Sequence, residues 1–286
     1  MKRSIFLYLI FLFVLSATPV FAFTLSNFET PESAVVDADD GSYYVSNING
    51  EFAEKDSNGY ISKISPDGNT VIQKFAGSRK EEMILHAPKG LALIGNNIFT
   101  ADIDSVKAFN KETGKPSVLL DLSSFHVKFL NDLAADSQGI LYVSDTMTNQ
   151  IFRIDTNKDY ETTLFKESPL LAGPNGLVVN PKTRNLMVVT WVSGQILEID
   201  RMGGIHVLKR GFDKLDGLDY DNAGNLYISS FEKGEIFKIT RMGRGAITMT
   251  RSGLVTPADI SYDRKKDEIL IPSMKGNTVS TVSARS

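Results

Sequence analysis

Apolar and polar residues alternate along this chain in short runs, and the runs recur in a constant order. Leu141-Tyr142-Val143-Ser144 is followed by Ile151-Phe152-Arg153-Ile154, and Leu226-Tyr227-Ile228-Ser229 by Ile236-Phe237-Lys238-Ile239. The runs are short, rich in Val, Ile, Tyr and Thr, and bounded by Gly, Asn or Asp, a pattern that predicts strands rather than helices. The repeating unit reads as a turn, then Pro-x-Gly-Leu or a variant opening an alternating strand. Asp or Asn with Gly follows, then the two runs just quoted, then a fourth β-rich run. Corresponding first-strand positions fall at Glu32, Lys89, Asn131, Asn175, Asp216 and Asp259, spaced 57, 42, 44, 41 and 43 residues apart. A period of about 40–45 residues belongs to propeller blades. The expected fold is therefore all-β, a six-bladed β-propeller with four antiparallel strands per blade. The long first interval takes up insertions around residues 49–59 and 77–86. The sixth unit supplies only three strands before the chain stops. Residues 23–28 are the one strand-like stretch left over, and are expected to pair as the outer strand of the last blade and tie the ring shut.

The first residues carry a different pattern. Lys2-Arg3 precedes an apolar run over residues 5–15 and a small-residue exit, Val20-Phe21-Ala22, which reads as a secretory signal peptide cut after Ala22. The run is shorter than the roughly 20 residues of a spanning helix. Residues 1–22 are set apart, and residues 23–286 are expected to form one exported propeller domain, periplasmic or extracellular. With no cysteine, the chain has no disulfide, no thiolate metal site, no thiol catalysis and no cysteine for a lipid anchor. A net charge of −3 with both signs dispersed gives no basic footprint, so nucleic acid is not an expected partner.

In a propeller the innermost strands run side by side along the axis, so the six corresponding residues meet at one end of the channel. Glu32 and Asp216 bring carboxylates there, and Asn131 and Asn175 bring amide oxygens. Such a set suits a hard cation, calcium or another divalent ion, which takes six to eight oxygen ligands at about 2.3–2.6 Å. Asp259 is expected to cap a turn or bond a channel water. Lys89 would repel a cation or hold a substrate oxygen, and its ammonium is rather expected to turn to solvent or pair with an acid. Loops on the same face bring His86, His126, Met147, Trp191, Phe231 and Met274 around this centre. A polar centre under an apolar rim is how small-molecule sites are commonly built. Lys89, His126, Met147, Trp191 and Phe231 are the expected substrate contacts.

Across residues 24–286 these segments resemble the gluconolactonase and senescence-marker-protein (regucalcin) family of six-bladed propellers, related to diisopropylfluorophosphatase, the paraoxonases and bacterial calcium-dependent lactonases. The likeness is carried by Glu32-Ser33-Ala34-Val35-Val36-Asp37, Asn131-Asp132, Pro174-Asn175-Gly176 and Asp216-Gly217. It implies calcium on Glu32, Asn131, Asn175 and Asp216, and hydrolysis of a small ester-like substrate, a lactone above all. Asp216 would be the base that activates water, with Asp132 in reserve. Two positions depart from the family pattern. Phe129 stands where sugar-acid lactonases carry an arginine, and Lys89 where paraoxonases carry a catalytic histidine. The departures suit a rival reading, a non-catalytic binding propeller like the NHL-repeat proteins, with a structural metal and a ligand or protein partner. A third, a condensing enzyme like strictosidine synthase, would lack the metal.

Overall fold

The computed structural model describes residues 21–78 and 83–284. Residues 1–20 of the expected leader lie outside the described residues. Six four-stranded antiparallel sheets follow one another around a central axis. The first blade runs outward through Pro31–Val36, Tyr43–Asn47, Tyr60–Ile64 and Val71–Ala76. The inner strands of the next four are Pro88–Ile94, Leu130–Ala135, Pro174–Val179 and Leu215–Tyr220.

The last blade is built from both ends of the chain. Ser261–Asp263, Glu268–Ser273 and Thr278–Ser283 form its first three strands, and Phe21–Ser26 pairs outside them, with Thr24 opposite Ser280. The expected closure is the observed one. The pairs at Thr24, Leu25 and Ser26 all lie beyond the predicted cleavage point. The closing sheet's inner strand is short, because residues before it make isolated bridges instead: Pro257 to Ser273, and Asp259 in parallel to Ser33.

The recurrent Asp or Asn after each inner strand has a physical task. Asp37, Asp136, Asn180, Asp221 and Asp263 each accept, through Oδ1, the backbone N–H two residues on, at 2.8–2.9 Å. Such Asx turns close the hairpin into the second strand. The second blade lacks the residue and turns at Gly95, whose φ of +56° a side chain would resist. Between blades the apolar faces interlock in separate clusters, for instance Leu133, Val143 and Phe152 with Phe99 and Ala101 of the neighbouring blade.

Candidate active site

In each of the first five blades, register with the second strand slips between the first and fourth residues of the inner strand. A bulge of this kind bends the strand and re-aims side chains. The slipped pairs are Glu32-Ser33, Lys89-Gly90, Asn131-Asp132, Asn175-Gly176 and Asp216-Gly217. The second-strand serines hold the slip open: Ser46, Ser144 and Ser229 hydroxyls accept the N–H groups of Ser33, Asp132 and Gly217 at 2.8–2.9 Å. The serine that ends the repeated Val-Ser or Ile-Ser run is thus a bulge support, a role its sequence position alone did not disclose.

The first residue of each pair belongs to an upper ring. Glu32, Lys89, Asn131, Asn175 and Asp216 form the floor of a cavity of about 900 Å³, walled by Phe52, Phe129, Met147, Trp191, Phe231 and Met274. Trp191 and Phe231 meet edge to face, with centroids 5.4 Å apart. All five floor residues are buried. Asn131 Nδ2 donates to Asn175 Oδ1 at 2.6 Å and to Thr146 Oγ1 at 3.0 Å, and Asn175 Nδ2 donates to the Leu215 carbonyl. These bonds set both amides so that the Asn131 oxygen is left over. Asn131 Oδ1, Glu32 Oε2 and Asp216 Oδ1 are buried without a hydrogen-bond partner. Eight buried side-chain atoms among the described residues lack a partner, and these three are the ones that share one ring, which is the donor set a hard cation takes. Among the described residues no group of three or more His, Cys, Asp or Glu could hold a metal, so a cation here depends on the asparagine amides.

The ring brings buried carboxylates close to one another. Burial first, then the charges of Asp216, Asp259 and Asp132, push Glu32 well above the usual carboxylate range, with Lys89 opposing. Burial and Asp259 push Asp216 up in the same direction.

Lys89 does not turn to solvent. It is 2 % exposed, Nζ donates to the Ala87 carbonyl at 2.9 Å, and the ammonium stands 4.4 Å from the centre of the Phe129 ring. Lys89 and Phe129 therefore make one contact, a cation over an aromatic face. Burial lowers Lys89 to about 8 against the opposing pull of Glu32 and Asp102. Ala87 and Phe129, which hold the ammonium, are fixed from the second strands. Asp102 accepts the N–H groups of His86 and Ala87, and Asp145 those of Lys128 and Phe129.

The second residue of each pair belongs to a lower ring. There the glycines give way to neighbouring backbone: a Cβ on Gly90 would lie 2.6 Å from Asp132 Cα, and one on Gly217 2.5 Å from Asp259 Cα. Asp259, expected at one end of the channel with Glu32, instead bridges to Ser33 and belongs to this lower ring; with Asp132 it lines a separate cavity of about 460 Å³ at the opposite mouth. Asp132 is not the uncommitted carboxylate expected of a reserve base. Its Oδ1 accepts the Leu133 N–H and its Oδ2 the Leu177 N–H, both at 2.6 Å, which ties it to the fourth blade. Asp259 Oδ2 accepts the Ser33 hydroxyl at 2.5 Å, and burial pushes the group up to about 7.

Among the other expected contacts, Met147, Trp191 and Phe231 line the upper cavity, whereas His126 does not. His126 is exposed at the end of the short helical turn Ser123–Phe125, with φ +58°, and its loop carries it clear of the floor. His86 is also displaced from the floor, its Nδ1 accepting the Ser57 N–H. Thr146, Phe129 and Phe52 were not among the expected contacts. Thr146 follows Asp145 in sequence, but its bridge from Asn131 of its own blade to the Pro174 carbonyl depends on the next blade.

The fold and site define a six-bladed β-propeller with a polar axial floor under an aromatic cavity. No protein-family model matches the sequence, and no curated protein matches it. Solved structures share the fold. A structural genomics protein of unknown function from Bacteroides thetaiotaomicron superposes with a TM-score of 0.70 at 16 % identity, covering 90 % of this chain and 70 % of that one. A catalytically inactive variant of virginiamycin B lyase from Staphylococcus aureus, with quinupristin, gives 0.62 at 16 % identity over 91 % and 98 %. A streptogramin B lyase gives 0.64 at 15 % identity over 91 % and 96 %. Identities this low speak for the fold alone.

Proposed function

We propose that the protein is an exported, divalent-cation-dependent hydrolase of a small ester-like substrate, a lactone above all, with calcium as the cation. The observation that carries the reading is the trio of orphaned oxygens on Glu32, Asn131 and Asp216 at the floor of an aromatic-walled cavity. Glu32, Asn131, Asn175 and Asp216 would hold the ion, which when bound supplies a Lewis acid for a carbonyl oxygen. The chain's own residues do the rest. Phe129, Trp191, Phe231 and Met274 bind an apolar body and exclude water from the floor, which strengthens every charge interaction there. The Asn131–Asn175–Leu215 chain of hydrogen bonds holds the amides in one orientation before substrate arrives. Asp216 is the candidate to take the proton of an attacking water. Asp132, with both oxygens committed to backbone N–H groups, holds two blades together instead.

A second reading, a binding propeller with a structural cation, is favoured by one observation: the buried ammonium of Lys89 already supplies positive charge beside Glu32. Hydrolysis of a panel of lactones and aryl esters, with calcium and then with chelator, separates the two. The enzyme reading expects chelator-sensitive turnover that Asp216→Ala and Asn175→Ala both abolish. Absence of turnover on every substrate, with calcium still raising the melting temperature, would sink it in favour of the binding propeller.

A further inference from the structure

Lys89 occupies the second-blade position of the same ring as Glu32, Asn131, Asn175 and Asp216. Its ammonium is out of water and is held by one carbonyl and one aromatic face. The neighbouring acid of its own blade is already satisfied, since Asp102 pairs with Lys107 at 2.6 Å. The charge that Lys89 answers is therefore that of the ring: Glu32 is the first opposite charge acting on it. To hold a cation both carboxylates must be ionised, and with Lys89 protonated the floor would then carry one net negative charge. A divalent ion would turn that into one net positive charge in a buried site, and uncompensated buried charge is costly.

We propose that Lys89 is the resident counter-ion of the ring, an ammonium built into the site that opposes divalent-cation binding and so sets its affinity low. This rests on the reading that Glu32, Asn131, Asn175 and Asp216 hold a cation. The Phe129 face and the Ala87 carbonyl, fixed in turn by Asp145 and Asp102, keep the ammonium in the ring. A site tuned in this way fills only where the ion is abundant. Extracellular calcium modules work in that regime, at roughly 10⁻⁴–10⁻³ M.

Calorimetric titration of calcium into the purified native protein, Lys89→Met and Lys89→Gln tests this without reference to turnover. Methionine keeps the length and apolar stem of Lys89. Glutamine keeps a donor for the Ala87 carbonyl, so at least one variant should retain the native circular dichroism. The expected result is that the neutral variants bind calcium at least about tenfold more tightly than the native protein, because a repelling unit charge has been removed from a buried site. Binding by the variants alone would support the proposal in the same way. Native binding with equal or weaker affinity in both folded variants would overturn the role of Lys89 and leave the metal reading standing. Failure of all three to bind would overturn the metal reading itself, and this proposal with it.

Discussion

Asp132 shows how one carboxylate can change meaning with its surroundings. Beside Asn131 in the sequence it looks like a spare base; in the fold its two oxygens are the acceptors for two buried N–H groups. Asp132→Ala is expected to lower stability by about 2–6 kcal/mol, since each of the two buried donors left unpaired costs about 1–3 kcal/mol. Asp132→Asn, which keeps one acceptor oxygen, should recover about half of that loss. Urea unfolding measures both, and an alanine variant as stable as the native protein would contradict the structural role. What the sequence made legible here was the position in the ring; what it hid was the partner. Leu177 comes from the next blade, and no local pattern announces a bond across 45 positions. Lys89 hid its role for the same reason. Its burial depends on Phe129, brought over from another blade. The four oxygen-bearing positions were legible because equivalence between repeats places them without knowledge of any contact.

The strands were legible because alternation and turn residues recur, and the bulges were not, because a slip of one residue leaves the alternation almost unchanged. The closing strand Phe21–Ser26 was found by elimination, and its packing explains its grip. Phe23 meets Tyr43 edge to face at 5.5 Å, and with Leu25 it packs on a buried cluster that includes Phe28, Val45 and Val279. Deletion through Ser26 is expected to cost about 2–4 kcal/mol from the two partly buried side chains. Removal of residues 1–22 alone leaves Phe23 to Ser26 in place and should cost far less. Urea midpoints of the two truncations should differ accordingly, and equal midpoints would deny the strand its closing role.

For the molecule as a whole, a cation that binds only the native ring stabilises all six blades, because the floor collects residues from five of them. Calcium at about a hundred times its dissociation constant should add about 2.7 kcal/mol, or roughly 5–10 °C in melting temperature for a chain of this size. Thermal scans with calcium and with chelator measure the difference, and coincident melting curves would exclude a cation held by the native state. The ring's closure reaches further than stability. Thr30 N–H donates to Asn277 Oδ1 at 2.9 Å across 247 positions, beside the sheet in which the first strand waits for the last. Contacts so distant in the chain are paid for in loop entropy before they return anything, which makes closure a slow and late event. A chain that leaves the ribosome or crosses a membrane from its N-terminus must therefore carry its first strand unpaired until the final forty residues arrive, at about 40 per blade. The interval in which the edge of the last sheet stands open is the period when the molecule is most exposed to proteases and to copies of itself.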